Sequence, residues 1–227
     1  MPRKFKFTEE EQLRFDHFVT TDEFAEVLAI SWRYGSKRND SFSVRSQRKW
    51  IVARFSELVE RSWTMRYCDY EGDEPYWEGA VCLNHPLVNM LVEMGWSQVT
   101  KEERFFPEGD FNEIVFVKTF ILLLHDLGTI QEKRKGRILV RPRLRIHGSV
   151  DVLNNIGRVL YNQLNVGFKK LQSDQKVPRA KTIYFQSKKE IPMILEFAGA
   201  TESLEKYDSF ELGYQKEKES ISALLPI

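Results

Sequence analysis

The chain has 227 residues, 42% of them hydrophobic, 30% charged and 13% aromatic, a composition that excludes a disordered or fibrous protein. No apolar run approaches the roughly 18 residues of a membrane helix, and the opening MPRKFKFTEEEQ lacks a signal peptide's apolar stretch, so the expectation is an intracellular protein, cytoplasmic or nucleoid-associated, with no membrane partner. Lys and Arg number 34 against 33 Asp and Glu, yet the bases crowd into 133–147 and 169–181 while the acids crowd elsewhere; a neutral total can hide a basic face. The two cysteines, Cys68 and Cys82, lack metal-ligand spacing and point to a reducing compartment.

In chain order, residues 1–19 form an N-terminal extension. Thr20 with Glu23, and later Asp110 with Glu113, have the spacing of capping boxes. Each leads into an apolar helix, FAEVLAISW in the first case and IVFVKTFILLL in the second. Each helix is expected to end at a Gly-hydroxyl pair, Gly35-Ser36 and Gly128-Thr129, with glycine in the left-handed C-cap conformation. Alternating strands follow, SFSVR (41–45) and ILVRPRLRIHG (138–148). Then come amphipathic helices at 47–60 and 149–164, two more strands in each half, and closing helices near 86–94 and 188–198. The order is that of a duplicated unit, detected by pattern rather than identity; two unrelated α+β stretches are the alternative. The repeats span 20–96 and 110–200, joined by a Pro-, Gly- and charge-bearing linker at 97–109, and 201–227 reads as a surface helix or tail. The fold class is α+β: two tandem αββαββα repeats.

The order of elements with two Gly-Ser/Thr signatures resembles the single-chain LAGLIDADG homing endonucleases. The segment FVKTFILLLHDLGTIQEKRKGRILVRPRLRIHGSVDVLNNIGRVL carries the resemblance best, and FAEVLAISWRYGSKRNDSFSVRSQRKWIVARFSELV carries it more weakly. The resemblance implies two motif helices packed at a pseudo-twofold axis, in a monomer with internal pseudo-symmetry. It also implies two antiparallel sheets forming a saddle in the DNA major groove, and an acid immediately before each glycine to hold divalent metal. Mg²⁺ needs hard oxygen ligands and phosphodiester hydrolysis needs the metal. Here those positions hold Tyr34 and Leu127. Asp126 and Asp40 lie nearby, but one position back on a helix rotates Asp126 about 100° off the required face, and neither has a symmetric partner. His125 reads as a packed or hydrogen-bonded histidine at an element end.

On strand 138–147, Arg141, Arg143, Arg145 and His147 share one face, and Val140, Leu144 and Ile146 the other, with Pro142 marking an edge or bulge. Gln131, Lys133 and Lys135 share a face of the preceding strand, with Arg137 beside the turn at Gly136, and Glu132 falls on the opposite parity. A basic face without an acid repels itself unless a polyanion meets it, and a two-stranded ribbon fits the major groove of B-DNA. The resemblance makes these the DNA-facing set, extended by Lys170, Gln172 and Lys181, with Ser41, Ser43, Arg45 and Arg66 as their first-half counterparts.

Three functions compete. The leading one is a sequence-selective double-stranded DNA-binding protein that has lost cleavage, uses no cofactor, and serves as a transcriptional regulator. The second is a Mg²⁺-dependent endonuclease with displaced acids around Asp126. The third is an RNA-binding intron-splicing maturase, which the absence of stacking aromatics on the basic strand disfavours.

Overall fold

Thr8 opens the first helix with a reciprocal capping box. Its hydroxyl accepts from the Glu11 amide while the Glu11 carboxylate accepts from the Thr8 amide. This helix, α1 (Glu9–Phe18), is followed after three residues by α2 (Asp22–Tyr34). The expected box at Thr20 and Glu23 does not form: the Thr20 and Thr21 hydroxyls are drawn back onto the His17 and Phe18 carbonyls at the end of α1. The computed structural model describes residues 6–38, 40–72, 74–98, 104–134, 137–173 and 181–216.

After α2 the chain forms β1 (Gly35–Arg38), β2 (Ser41–Ser46), α3 (Lys49–Leu58), β3 (Arg66–Cys68), β4 (Tyr76–Cys82) and α4 (Pro86–Glu93). The second half repeats this order with α5 (Glu113–Leu123), β5 (His125–Arg134), β6 (Arg137–Gly148), α6 (Val150–Leu164), β7 (Gln172–Ser173), β8 (Lys181–Phe185) and α7 (Glu190–Phe197). Both sheets are antiparallel with the same strand order, β1-β2-β4-β3 and β5-β6-β8-β7. The duplication read from sequence is therefore present in the topology. At α5 the cap is Asn112, whose side chain accepts from the Ile114 and Val115 amides, rather than Asp110; Asn112 also donates to Asp22 at the start of α2.

The segment after residue 200 is not a tail throughout. It forms α8 (Thr201–Asp208) and β9 (Gly213–Lys216), and β9 pairs with residues 137–140 of β6. Since β8 pairs with residues 144–148, this side of β6 carries no paired strand at 141–143 among the described residues. Pro142, which has no amide hydrogen to donate, sits in that gap.

One apolar core runs through both halves. The helices α2 and α5 pack directly on each other, with Ala25 and Ala29 fully buried on α2. The Trp32 and Phe116 rings meet edge to face at 6.4 Å. The sheets lie against α3 and α6: Phe42, Val44 and Val81 face inward in the first half, and Leu144, Ile146 and Ile183 in the second. The linker's end joins this core. Phe106 is buried against Phe116, and its amide donates to Asp151 of α6 at 2.7 Å.

The helix ends differ from expectation. Gly35 is extended (φ −70°, ψ 137°) and is the first residue of β1. It is glycine for space: a Cβ there would stand 2.4 Å from the Ser31 carbonyl oxygen and 2.5 Å from the Phe42 ring. Helix α5 stops at Leu123, and Leu124 (φ −156°) already has strand geometry. Leu127 and Gly128 therefore lie inside β5, opposite Leu144 and Arg143.

Candidate functional site

The sheet registers fix which residues correspond between the halves. Gly35 pairs with Val44, which pairs with Gly79; His125 pairs with Ile146, which pairs with Ile183. Gly79 and Ile183 both lie six residues before the N-cap of the closing helix. The counterpart of Tyr34 is thus Leu124, three residues before the leucine that the glycine signature selects, and the counterpart of Asp126 is Ser36. Asp126 is on a strand rather than one step around a helix. Asp40 is in the β1–β2 turn, at the end of that hairpin away from α2.

Arginines, not acids, occupy the bases of the two central helices. Helix C-termini leave carbonyls unsatisfied, and cations there are favourable with the dipole. At the end of α2, Arg104 donates to the carbonyls of Trp32 and, at 2.9 Å, Gly35. Its guanidinium lies over the Trp96 ring, 4.7 Å from the centroid. At the end of α5, Arg48 donates to the Leu123 carbonyl and, at 3.0 Å, to the Tyr34 hydroxyl. That hydroxyl in turn donates to Leu123 at 3.1 Å. Arg33 donates to the Leu124 carbonyl at 3.3 Å and to His147 of β6 at 2.8 Å, stacked 4.6 Å over Phe120. Burial pulls the pKa values of Arg33 and Arg104 down to about 10, so both remain charged at neutral pH. This donor set does not fit a divalent cation: a phenol, an alkyl chain and three guanidinium groups offer no hard anionic oxygen. Sequence reading did not single out Arg33, Arg48 or Arg104, because nothing in their local spacing marks them.

His125 is held as expected at an element end. Its Nδ1 meets the Ile121 carbonyl at 2.8 Å and its Nε2 meets the Ser203 hydroxyl at 2.7 Å. His85 likewise accepts from the Leu87 amide on Nδ1 and contacts the Glu60 carbonyl through Nε2. Burial pushes both below the usual histidine value of 6.5. Below that value the unfolded chain binds protons that the folded one refuses, so their contribution is intact above it and is lost as pH falls. The melting temperature should therefore decline between about pH 7 and pH 5; a flat profile in a thermal melt series would contradict this.

The strand β6 alternates as read: Val140, Pro142, Leu144 and Ile146 are buried, while Arg141, Arg143, Arg145 and His147 stand half-exposed on the other side. Arg137 continues that outer row at the hairpin tip. The partner strand does not follow the expected parity. Directly opposed residues share a face, and Asp126, Gly128 and Ile130 oppose Arg145, Arg143 and Arg141. The arginine face therefore carries Asp126 and Glu132. Arg145 and Arg143 both donate to Asp126 Oδ2, and Arg141 binds both oxygens of Glu132 at 2.5 Å. Gln131 and Lys133 oppose Val140 and Ile138, on the other face, so the acid-free basic face is not formed. Lys135 lies outside the described residues.

Elsewhere the expected set is partly brought together. His147, Thr182 and Gln172 form one row across β6, β8 and β7, with the Thr182 hydroxyl 2.9 Å from His147 Nδ1. Lys170 is exposed just before β7 and lines a cleft with Gln172 and Tyr184. Lys181 opposes Gly148 and Ser173, on the opposite face from the arginines, and donates to the Ser173 hydroxyl at 3.0 Å. In the first half, Arg45, Glu78 and Arg66 form a row across β2, β4 and β3. Glu78 is 4% exposed and accepts from both arginines. Burial raises its pKa, but the hydrogen bonds and charges of Arg66 and Arg45 outweigh that and hold the carboxyl below its ordinary range. Ser41 is half-buried and donates to Arg38. Ser43 is 1% exposed between Ser36 and Ala80, so it presents nothing to a partner. This half also exposes Tyr67 and Tyr70, each at 54%.

No helix among the described residues is long and apolar enough to cross a membrane. No family model matches the sequence, and no curated protein matches it. Solved structures do match in fold. The I-SmaMI LAGLIDADG homing endonuclease bound to cleaved DNA superposes with a TM-score of 0.52 at 9% identity, over 81% of this chain and 88% of that one. I-SmaMI bound to an uncleaved DNA target in the presence of calcium gives 0.52 at 10% identity, over 81% and 90%. The N-terminal LAGLIDADG domain of WhiA gives 0.48 at 13% identity, over 88% and 94%. The two repeated halves, their common strand order and the two I-SmaMI superpositions together give the chain the fold of the LAGLIDADG homing endonucleases.

Proposed function

We propose that this chain is a sequence-selective double-stranded DNA-binding protein that does not cleave its site, and that it acts as a transcriptional regulator. The observation that carries the binding reading is the row of exposed Arg137 and half-exposed Arg141, Arg143 and Arg145 on the outer face of a long hairpin. A two-stranded ribbon enters the major groove, where Arg reads guanine bidentately. Proteins of the same fold have been solved with DNA, which supports the same partner here. His147, Gln172 and Lys170 extend the proposed surface in the second repeat, 110–200. Arg45 and Arg66 provide a thinner counterpart in the first, 20–96. The non-cleaving reading rests on the helix bases: the pair Tyr34 and Leu124 is ringed by Arg33, Arg48 and Arg104. Fixed cations there repel a metal ion and leave no general base, whereas phosphate neutralisation and base contacts need no metal.

The exposed Tyr67 and Tyr70 favour a second reading, single-stranded RNA contact by base stacking in the first half. One experiment separates the readings. The purified protein is titrated with random-sequence duplex DNA, single strands and RNA at several salt concentrations, and then incubated with a plasmid library in Mg²⁺ or Mn²⁺. The expected result is preferred duplex binding with a log–log salt slope of about −3 to −5, and no nicking. Site-specific nicking overturns the non-cleaving reading, and preference for RNA overturns the DNA reading.

A further inference from the structure

Asp126 and Glu132 stand inside the arginine row of β6, where a surface built for affinity alone would hold no acid. Their engagement is specific. One oxygen of Asp126 takes Arg145 and, at 3.4 Å, Arg143. Both oxygens of Glu132 take the same nitrogen of Arg141 at 2.5 Å. The Nε atoms of all three arginines are buried without a hydrogen-bond partner among the described residues, so the carboxylates account for the row's described hydrogen bonds. All five side chains are partly open to solvent, from 27% to 39%. They are therefore within reach of a ligand lying on this face.

Two kinds of contact respond differently to those acids. A phosphate brings negative charge against Asp126 or Glu132 and must draw an arginine away from its carboxylate, whatever the sequence. A base edge is neutral. Guanine offers two acceptors to one guanidinium, and a cytosine amino group donates to a carboxylate. The acids thus penalise the sequence-independent contacts more than the sequence-dependent ones, and specificity is a difference between those affinities.

We propose that Asp126 and Glu132 are positioning residues that hold Arg141, Arg143 and Arg145 back from non-specific phosphate, and so set the sequence discrimination of this face. The proposal rests on the duplex-binding reading above. Its test uses Asp126→Asn, Glu132→Gln and the double variant in the full chain. Affinity is measured for a duplex selected by the wild type from a random library, and for a scrambled duplex of the same composition, across a salt series. In the double variant, scrambled-duplex binding should tighten about tenfold and the salt slope should steepen by about one. Binding of the selected duplex should change by less than about threefold, so that the discrimination ratio falls. Glu57→Gln is the control for each single variant: it removes one negative charge, as they do, from an exposed acid on α3 that pairs with Arg54, and should leave the ratio unchanged.

An unchanged ratio in a double variant that melts like the wild type overturns the proposal, as does an equal effect from Glu57→Gln. Should Asp126→Asn fail to fold, Glu132→Gln alone decides, since it lies near the hairpin tip. Wild-type protein that binds no duplex at all overturns the duplex-binding reading itself, a result distinct from wild-type binding with an unaltered ratio.

Discussion

Reversing Arg143 and Arg145 together to glutamate should weaken duplex binding by about a thousandfold or more at moderate salt. A bidentate arginine–guanine contact is worth about 1–3 kcal/mol, so losing two already accounts for a factor of about a thousand at the middle of that range, with RT ln 10 about 1.4 kcal/mol. Reversal then adds repulsion from phosphate. The fold should survive, because the residues between and beyond them, Leu144 and Ile146, are fully buried and unchanged. The new glutamates would sit beside Asp126, which costs a few tenths of a kcal/mol to about 1 kcal/mol across a strand pair. The milder Arg143→Gln with Arg145→Gln should therefore be read alongside, with a smaller loss and a shallower salt slope. Fluorescence anisotropy with a labelled duplex makes the measurement. Unchanged affinity in both would place the DNA surface elsewhere on the molecule.

The second large effect concerns Arg33. Its guanidinium joins three elements: it leaves α2, caps α5 at Leu124, and reaches the His147 carbonyl on β6. Charge-assisted hydrogen bonds are worth about 1.5–3 kcal/mol each, and the stack on Phe120 adds about 0.5–2 kcal/mol. Against these stands the cost of burying the charge, visible in a pKa drawn down to about 10. The bonds win, because removing the side chain takes away both hydrogen bonds and the ring contact at once. Arg33→Ala should lose about 2–4 kcal/mol in urea unfolding. Arg33→Lys, which keeps the charge but not the fork, should lose about half of that. Equal stability of all three proteins would show that solvent satisfies these carbonyls.

Much of this molecule was legible in its sequence, and the misses have particular causes. The repeat is written in the alternation of period-2 and period-3.6 segments, and the inward Val140, Leu144 and Ile146 against outward arginines follow from pleating alone. The end of α5 was not legible. FILLLHDLG stays apolar through the switch from helix to strand, so the glycine attracted the boundary three to four residues too late, and the residue matched to Tyr34 moved with it from Leu124 to Leu127. The faces of β5 were misread for a related reason, since parity between two strands depends on the turn. Arg134 stands opposite Arg137, which puts even-numbered residues of β5 beside odd-numbered ones of β6. That pairing is what places Asp126 and Glu132 among the arginines. The guanidinium caps are long-range contacts, such as Arg104 to Gly35, and no local pattern encodes them.

The brace that β9 adds to β6 also has a consequence in time. Among the described elements β9 comes last in the chain, so during synthesis the β5–β6 hairpin exists before the strand that pairs with residues 137–140 of β6. Until residues 213–216 emerge, that stretch of β6 presents unsatisfied backbone groups, the kind of edge that pairs with other chains. The brace is supplied by residues 213–216, and a chain from which they are missing would carry the whole arginine row on a ribbon not yet stiffened.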